Sequence, residues 1–128
     1  MKFEPDRSEG VNIVTHHDGL SIRVGPASFT HSILLPWAGE VRAWPPRAFD
    51  ELSAAHFELA LALRPELVIF GSGRRLRFVP PALLRSLIEQ RIGVETMDTA
   101  AACRTYNVLA AEGRRVLGAM LLESTPAA

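Results

Sequence analysis

The sequence predicts one compact three-layer α/β domain, with a mixed β-sheet built from an N-terminal β-meander and a C-terminal βαβαβ unit. Three observations predict it. Up to Pro46 the apolar residues fall in short alternating runs broken by turn residues, which is the period of strands. From Glu66 onward, apolar runs alternate with segments whose apolar residues recur every three or four positions, the pattern of strands joined by crossover helices. The chain has 128 residues, 48% hydrophobic and 22% charged, which supports one packed core and argues against disorder, collagen-like repeats or a disulfide scaffold. The domain is expected to take in residues 1–128, with an ordered core over about 11–122 and frayed ends.

Taken in order, Val11–Val14, Leu20–Val24, Phe29–Leu35 and Glu40–Trp44 read as strands. Between and after them stand His17-Asp18-Gly19, Gly25-Pro26, Pro36-Trp37-Ala38-Gly39 and Pro45-Pro46, so consecutive strands are expected to pair antiparallel. His16 and His17 fall in a turn, His31 on a sheet surface and His56 in the first turn of a helix. Ser53 is the better N-cap of that helix, because Leu52 before it and Phe57 after it take the staple positions. A cap at Asp50 would lengthen the helix by a turn, and both stay open. Pro65 stops it near Arg64.

Leu67-Val68-Ile69-Phe70 is an uninterrupted apolar run, suited to a strand covered on both faces. Pro80-Pro81 open a helix that carries Leu83, Leu84, Leu87 and Ile88 on one stripe. After Gly93, Val94–Met97 reads as a strand. Asp98 or Thr99 then caps a helix running to Glu112, Gly113 ends it, and Arg114–Leu121 is the last strand. Glu123–Ala128 reads as a frayed tail.

Composition excludes several function classes. Fourteen cationic residues, thirteen Arg and Lys2, balance fourteen acidic ones, and a net charge of zero removes the usual footprint of a nucleic-acid or anionic-membrane binder. Apolar stretches are too interrupted for a membrane span. The N-terminus, Met1 to Arg7, is too polar for a signal peptide and too acidic for a typical mitochondrial transit sequence, so a cytoplasmic location is expected. One cysteine, Cys103, and four scattered histidines give neither a disulfide nor zinc-ligand spacing, so neither metal nor cofactor is expected.

Two segments stand out as a candidate ligand or anion site: the loop Gly71-Ser72-Gly73-Arg74 after the first apolar strand, and the helix start at Asp98-Thr99. In a βαβ unit both lie at the carboxyl edge of the sheet, where open α/β folds form their ligand crevice. Glycines let the backbone approach a ligand, a helix N-terminus offers free N–H groups, and arginines add charge. From Arg74 to Arg91 five arginines face one glutamate, a net +4. On the second helix Thr99, Cys103 and Asn107 share a stripe, with Arg104 beside the thiol. Each feature has a plainer reading: a permissive turn with solvated arginines, an ordinary N-cap, and a cysteine packed as a small hydrophobe. Gly-Ser-Gly has neither the spacing of a dinucleotide fingerprint nor that of a P-loop.

Gly71-Ser72-Gly73 with Phe78 and Pro80-Pro81, the run Gly93 to Asn107, Glu112-Gly113-Arg114 and the Trp44 region resemble the uncharacterised-domain family that includes mitochondrial complex I assembly factor 3. The resemblance runs from Val11 to Leu122 and is most specific over Met97–Asn107. It implies a three-layer α/β fold with a mixed central sheet, and no reaction, since the family has no established enzymatic activity. It implies signature positions at Gly71, Gly73, Asp98, Thr99, Cys103, Tyr106, Asn107, Glu112 and Gly113, with Ser72 where the family often has threonine. Mitochondrial members act as assembly factors for a membrane-bound respiratory complex. They carry a presequence that this N-terminus does not resemble, so their location is not carried over.

The first expectation is therefore a non-enzymatic interaction or assembly factor with a protein partner, for which Trp37 and Trp44 are candidate contacts beside an equal reading as packing residues. The alternative is a small-molecule or anion-binding protein, or an enzyme. There Ser72 and the loop amides would hold an oxyanion, Arg74 or Arg104 would neutralise it, and Asp98 would be acid or base. Nucleic-acid binding is weaker, because no stacking aromatics are interleaved with the arginines. Sheet edges in so small a domain make self-association a further expectation.

Overall fold

The computed structural model describes residues 10–123. The expectations for residues 1–9 and for the tail beyond Glu123 lie outside the described residues.

The alternating N-terminal runs do form antiparallel strands, in two sheets rather than one. β1 (Val14–His17), β2 (Ile22–Val24) and β3 (Ala27–Phe29) make a three-stranded meander. β4 (Ile33–Pro36) and β5 (Arg42–Ala43) belong to a second, five-stranded sheet. The strand expected over Phe29–Leu35 is thus broken. Ser32 causes the change of sheet by joining the far end of the chain: its Oγ accepts from the Leu122 N–H at 2.8 Å. The first strand starts at Val14, not Val11, because Asn12 bonds sideways instead. Its N–H donates to the Trp37 carbonyl, and its side-chain amide donates to the carbonyls of Pro36 and Gly39, all at 2.9 Å. His16 and His17 are consequently strand residues, and the turn begins at Asp18.

α1 (Ala54–Leu61) is capped by Ser53, whose N–H donates to His56 Nδ1 at 3.1 Å, so a histidine fills the capping-box position usually held by Glu or Gln. It ends before Arg64, which adopts φ +53° ahead of Pro65. β6 (Leu67–Gly71) follows. Pro81–Leu84 is a 3-10 turn that feeds α2 (Arg85–Glu89), so the helix opened by the proline pair is α-helical only in its second half. β7 (Gly93–Met97), α3 (Thr99–Ala111) and β8 (Val116–Met120) complete the unit. Asp98 is the cap of α3, its Oδ1 accepting from the Ala101 N–H at 2.9 Å, and Gly113 ends the connection at φ +86°.

The main sheet runs β5-β4-β8-β6-β7, with β6 parallel to both neighbours and β4 antiparallel to β8 and β5. Alternation along the strands splits the core. Ile33, Leu35, Ile69, Val116 and Met120 face α3 and the small sheet, meeting Cys103, Tyr106, Val14, Ile22 and Val24. Leu34, Val68, Phe70, Leu117 and Ala119 face α1 and α2, meeting Phe57, Ala60, Leu87 and Trp44. The fold is therefore mixed α/β in three layers, with the central strands buried on both faces as the continuous run at Leu67–Phe70 implies.

Candidate functional site

β6 and β7 end side by side, and the chain leaves each toward the same edge. The Ser72 N–H donates to the Met97 carbonyl and the Thr99 N–H to the Gly73 carbonyl, each at 2.9 Å, so the glycine loop and the start of α3 are joined as the topology requires. Thr99 Oγ1 completes the latch, accepting from the Gly73 N–H at 2.9 Å and donating to the Leu121 carbonyl at 2.7 Å. Gly71 is needed because α3 lies directly on the strand end: a Cβ there would sit 2.9 Å from Thr99 Oγ1 and 3.0 Å from Thr99 Cα. Gly73 has φ +103°, a conformation that side chains oppose.

The other sequence-designated residues are also engaged. Ser72 is fully buried; its hydroxyl donates to the Arg75 carbonyl at 2.7 Å and accepts from the Arg77 N–H at 3.1 Å. Asp98 Oδ1 caps α3. Asn107 stands two turns further on and closes a pair of 2.8 Å bonds with the Val14 main chain, which fastens the small sheet to α3. The Tyr106 hydroxyl lies 2.9 Å from the carbonyls of Asn12 and Pro36, and burial pushes its ionisation up. Cys103 is 1% exposed in the core, and burial pushes its thiol up to about 12 against the small opposing effect of Arg104. It is a packed thiol, not a thiolate. Arg104 is exposed. Trp44 is likewise a core residue, 2% exposed, with its indole N–H on the His56 carbonyl at 3.0 Å and its ring edge-on to Phe57 and Phe70. Trp37 is partly buried against the core.

The arginine excess is divided by the fold. Arg77 is bound 2.8 Å from Glu123 and lies over the Phe49 ring at 4.5 Å. Burial alone would raise the Glu123 carboxyl. The Arg77 hydrogen bond, the Phe49 N–H at 3.1 Å, the Arg77 charge and the Arg74 N–H outweigh it and hold the group below the usual carboxylate range. Glu123 is thus anchored and not part of a frayed tail. Arg91 sits at the opposite end of the sheet, before β7, with φ +60°. Arg74 and Arg75 remain exposed at the carboxyl edge.

What the edge leaves open is a cleft of about 350 Å³. Gly73, Arg74, Thr99 and Ala100 line one wall, Leu121 to Glu123 lie at its base, and the β1–β2 turn from His17 to Ile22 makes the other wall. Sequence reasoning missed that second wall. Its local signal was legible, since Asp18 Oδ1 accepts from the N–H groups of Leu20 and Ser21 at 3.0 and 2.9 Å. Those two bonds, first among the causes, hold the Asp18 carboxyl below its usual range. Its place over the sheet edge is tertiary. After a bend over Gly73–Arg75 the loop runs to Pro80 without joining a strand or helix. Arg77 and Val79 turn inward, while Leu76 and Phe78 point to solvent, 51% and 70% exposed. Among the described residues no group of three or more His, Cys, Asp or Glu could hold a metal, and no helix is long and apolar enough to cross a membrane.

A three-layer α/β domain whose glycine loop and helix start are latched to each other by their own polar groups, with an open cleft and an exposed apolar loop beside them, is the class of protein that fold and site define. The chain belongs to the family described as "Protein of unknown function (DUF498/DUF598)", which matches residues 14–121. It is 36% identical over 100 residues to the NADH dehydrogenase (ubiquinone) 1 alpha subcomplex assembly factor 3 of Bos taurus, covering 77% of this chain and 53% of that one. An uncharacterised protein of Rhodobacter capsulatus is 36% identical over 106 residues, 83% of this chain and 70% of that one. A crystal structure of a Bordetella parapertussis protein superposes with a TM-score of 0.84 at 39% identity, covering 88% of this chain and 97% of that one. The chain spans between half and two thirds of the length of the assembly factors that it matches in Bos taurus and Xenopus tropicalis.

Proposed function

We propose that this chain is a non-enzymatic interaction protein that serves the assembly of a larger complex, membrane-associated in the case its relatives suggest, and that it docks through the rim of the carboxyl edge. One observation carries the reading. The hydroxyls of Ser72 and Thr99, the Asn107 amide and the Asp98 cap are committed to internal bonds, whereas Leu76 and Phe78 are offered to water between Arg74, Arg75 and Pro80. Solvent-facing aromatic and arginine side chains supply most interface hot spots, and a folded chain gains nothing internally by exposing a phenylalanine. The name of the Bos taurus relative adds NADH dehydrogenase as the first complex to try.

A photo-crosslinking amino acid placed at position 78 in the native host is expected to give a reproducible protein adduct, and one at Val108, which is also exposed, to give none. Identical adducts at both positions, or none at either, would contradict the reading.

The cleft supports a second reading, small-molecule or anion binding, because its size suits a compact ligand and Arg74 lies on its wall. A ligand screen read by thermal shift tests it: a hit lost in Arg74→Ala supports the reading, and no hit counts against it.

A further inference from the structure

The five-stranded sheet has two outer strands, and their main-chain groups can be placed by counting from single hydrogen bonds. The Trp44 N–H donates to the Ser32 carbonyl, with Arg42 opposite Leu34 and Ala43 opposite Ile33. Antiparallel alternation then turns Trp44 and Arg42 toward β4, and turns the N–H and C=O groups of Val41 and Ala43 away from the sheet. At the other edge Met97 bonds to Ser72, so Gly93, Glu95 and Met97 face β6 while Val94 and Thr96 face out.

Charge separates the two edges. On β7 the register that pairs every outward group sets Glu95 against Glu95 of a second copy, and shifting it by one position sets Glu95 against Gly93 or Met97. No register is attractive. On β5 the exposed Glu40 and Arg42 flank Val41, and neither makes an ion pair with any described residue. Two antiparallel copies centred on Val41 set each Glu40 against the other copy's Arg42, twice by symmetry, while the two Val41 residues exchange main-chain hydrogen bonds. Centring on Arg42 instead would oppose the two arginines.

Beside this edge lies a groove of about 470 Å³ between β5 and α1, lined by Leu34, Val41, Ala43, Leu59 and Leu63 among others. Leu59 is 45% exposed on its far side. We propose that the free edge of β5 is where two copies of this chain join, making one continuous ten-stranded sheet with α1 and Leu59 of each copy flanking the joint. Gly39, at φ +91°, and the Pro45-Pro46 pair confine the pairing to a few residues, so the dimer exchanges readily with monomer and is salt-sensitive.

Sedimentation velocity over a concentration series at low salt tests this. The wild-type chain is expected to pass from monomer to dimer. Glu40→Arg and Arg42→Glu, each folded by circular dichroism, are expected to dimerise roughly tenfold more weakly or not at all, since two attractive cross-strand pairs become repulsive. The double variant Glu40→Arg/Arg42→Glu restores opposite charges in the same register and is expected to regain the dimer. A wild-type chain that stays monomeric, single variants that dimerise unchanged, or a folded double variant that stays monomeric would each overturn the proposal.

Discussion

At the carboxyl end of the sheet, the floor at Gly71–Gly73 and Thr99 and the rim at Arg74–Pro80 are adjacent in the chain and differ in nearly every physical respect. On the floor, Ser72 and Thr99 are buried, each hydroxyl both donates and accepts, and Gly71 is in near contact with α3. On the rim, apolar side chains stand in water and the backbone follows no ladder. The residues that look most like chemistry in the sequence hold the loop and helix start together, and those left exposed to solvent are their less distinctive neighbours. A hydroxyl and a permissive glycine serve a tight latch as well as they serve a ligand, and only the hydrogen-bond partners tell the two apart.

The largest effect that sharpens this contrast is expected from Gly71→Ala. The added methyl meets Thr99 main chain at 3.0 Å, which cannot rotate away, so denaturant unfolding should show a loss of about 3 kcal/mol. Ser72→Ala removes two internal bonds and leaves the Arg75 carbonyl short of a partner. A loss of about 2 kcal/mol by the same measurement is expected. Cys103 should resist a thiol reagent at neutral pH and react fully only on unfolding, because a buried thiol titrating at about 12 offers almost no thiolate; rapid native labelling would break the packing account.

Glu123 ties the rim, through Arg77, to Phe49 before α1 and gives a pH test. A carboxyl held below its unfolded value contributes stability that is whole above that value, about 4.3 for glutamate, and is lost as pH falls through the lowered native one. Thermal melts of the wild type should therefore lose part of their stability below that range, and Glu123→Gln should flatten the dependence. The smallest effect is expected at the opposite end of the molecule, where Arg91 occupies φ +60°. Arg91→Gly should gain about 0.5 kcal/mol in denaturant unfolding, the relief of a left-handed backbone exceeding glycine's added freedom in the unfolded chain.

Much of the C-terminal half was legible because its signals were local. The four-residue apolar run before Gly71 had to be a strand covered on both sides, Asp98 sat where a cap was needed, and Gly113 where one had to end. The break between β3 and β4 was not legible, since neither glycine nor proline marks Thr30-His31-Ser32 and the cause is Ser32 bonding to Leu122 ninety residues away. The two readings of Trp44, docking contact and packing residue, could not be separated for a related reason: its burial depends on Phe57 and Phe70 from two later elements. The candidate site was half legible: the loop and helix start were found together, and the Asp18 turn that closes the cleft was recognisable as a turn but not as a wall.

The division between floor and rim is tested most directly by recovering partners from the native host with two tagged variants of opposite kind, each with its melting temperature measured. The account expects Ser72→Ala to melt lower and still recover the wild-type partners. Leu76→Ser/Phe78→Ser should melt with the wild type and lose them. If the rim variant kept every partner while the folded Ser72→Ala variant lost them, the assignment of floor and rim would be the wrong way round.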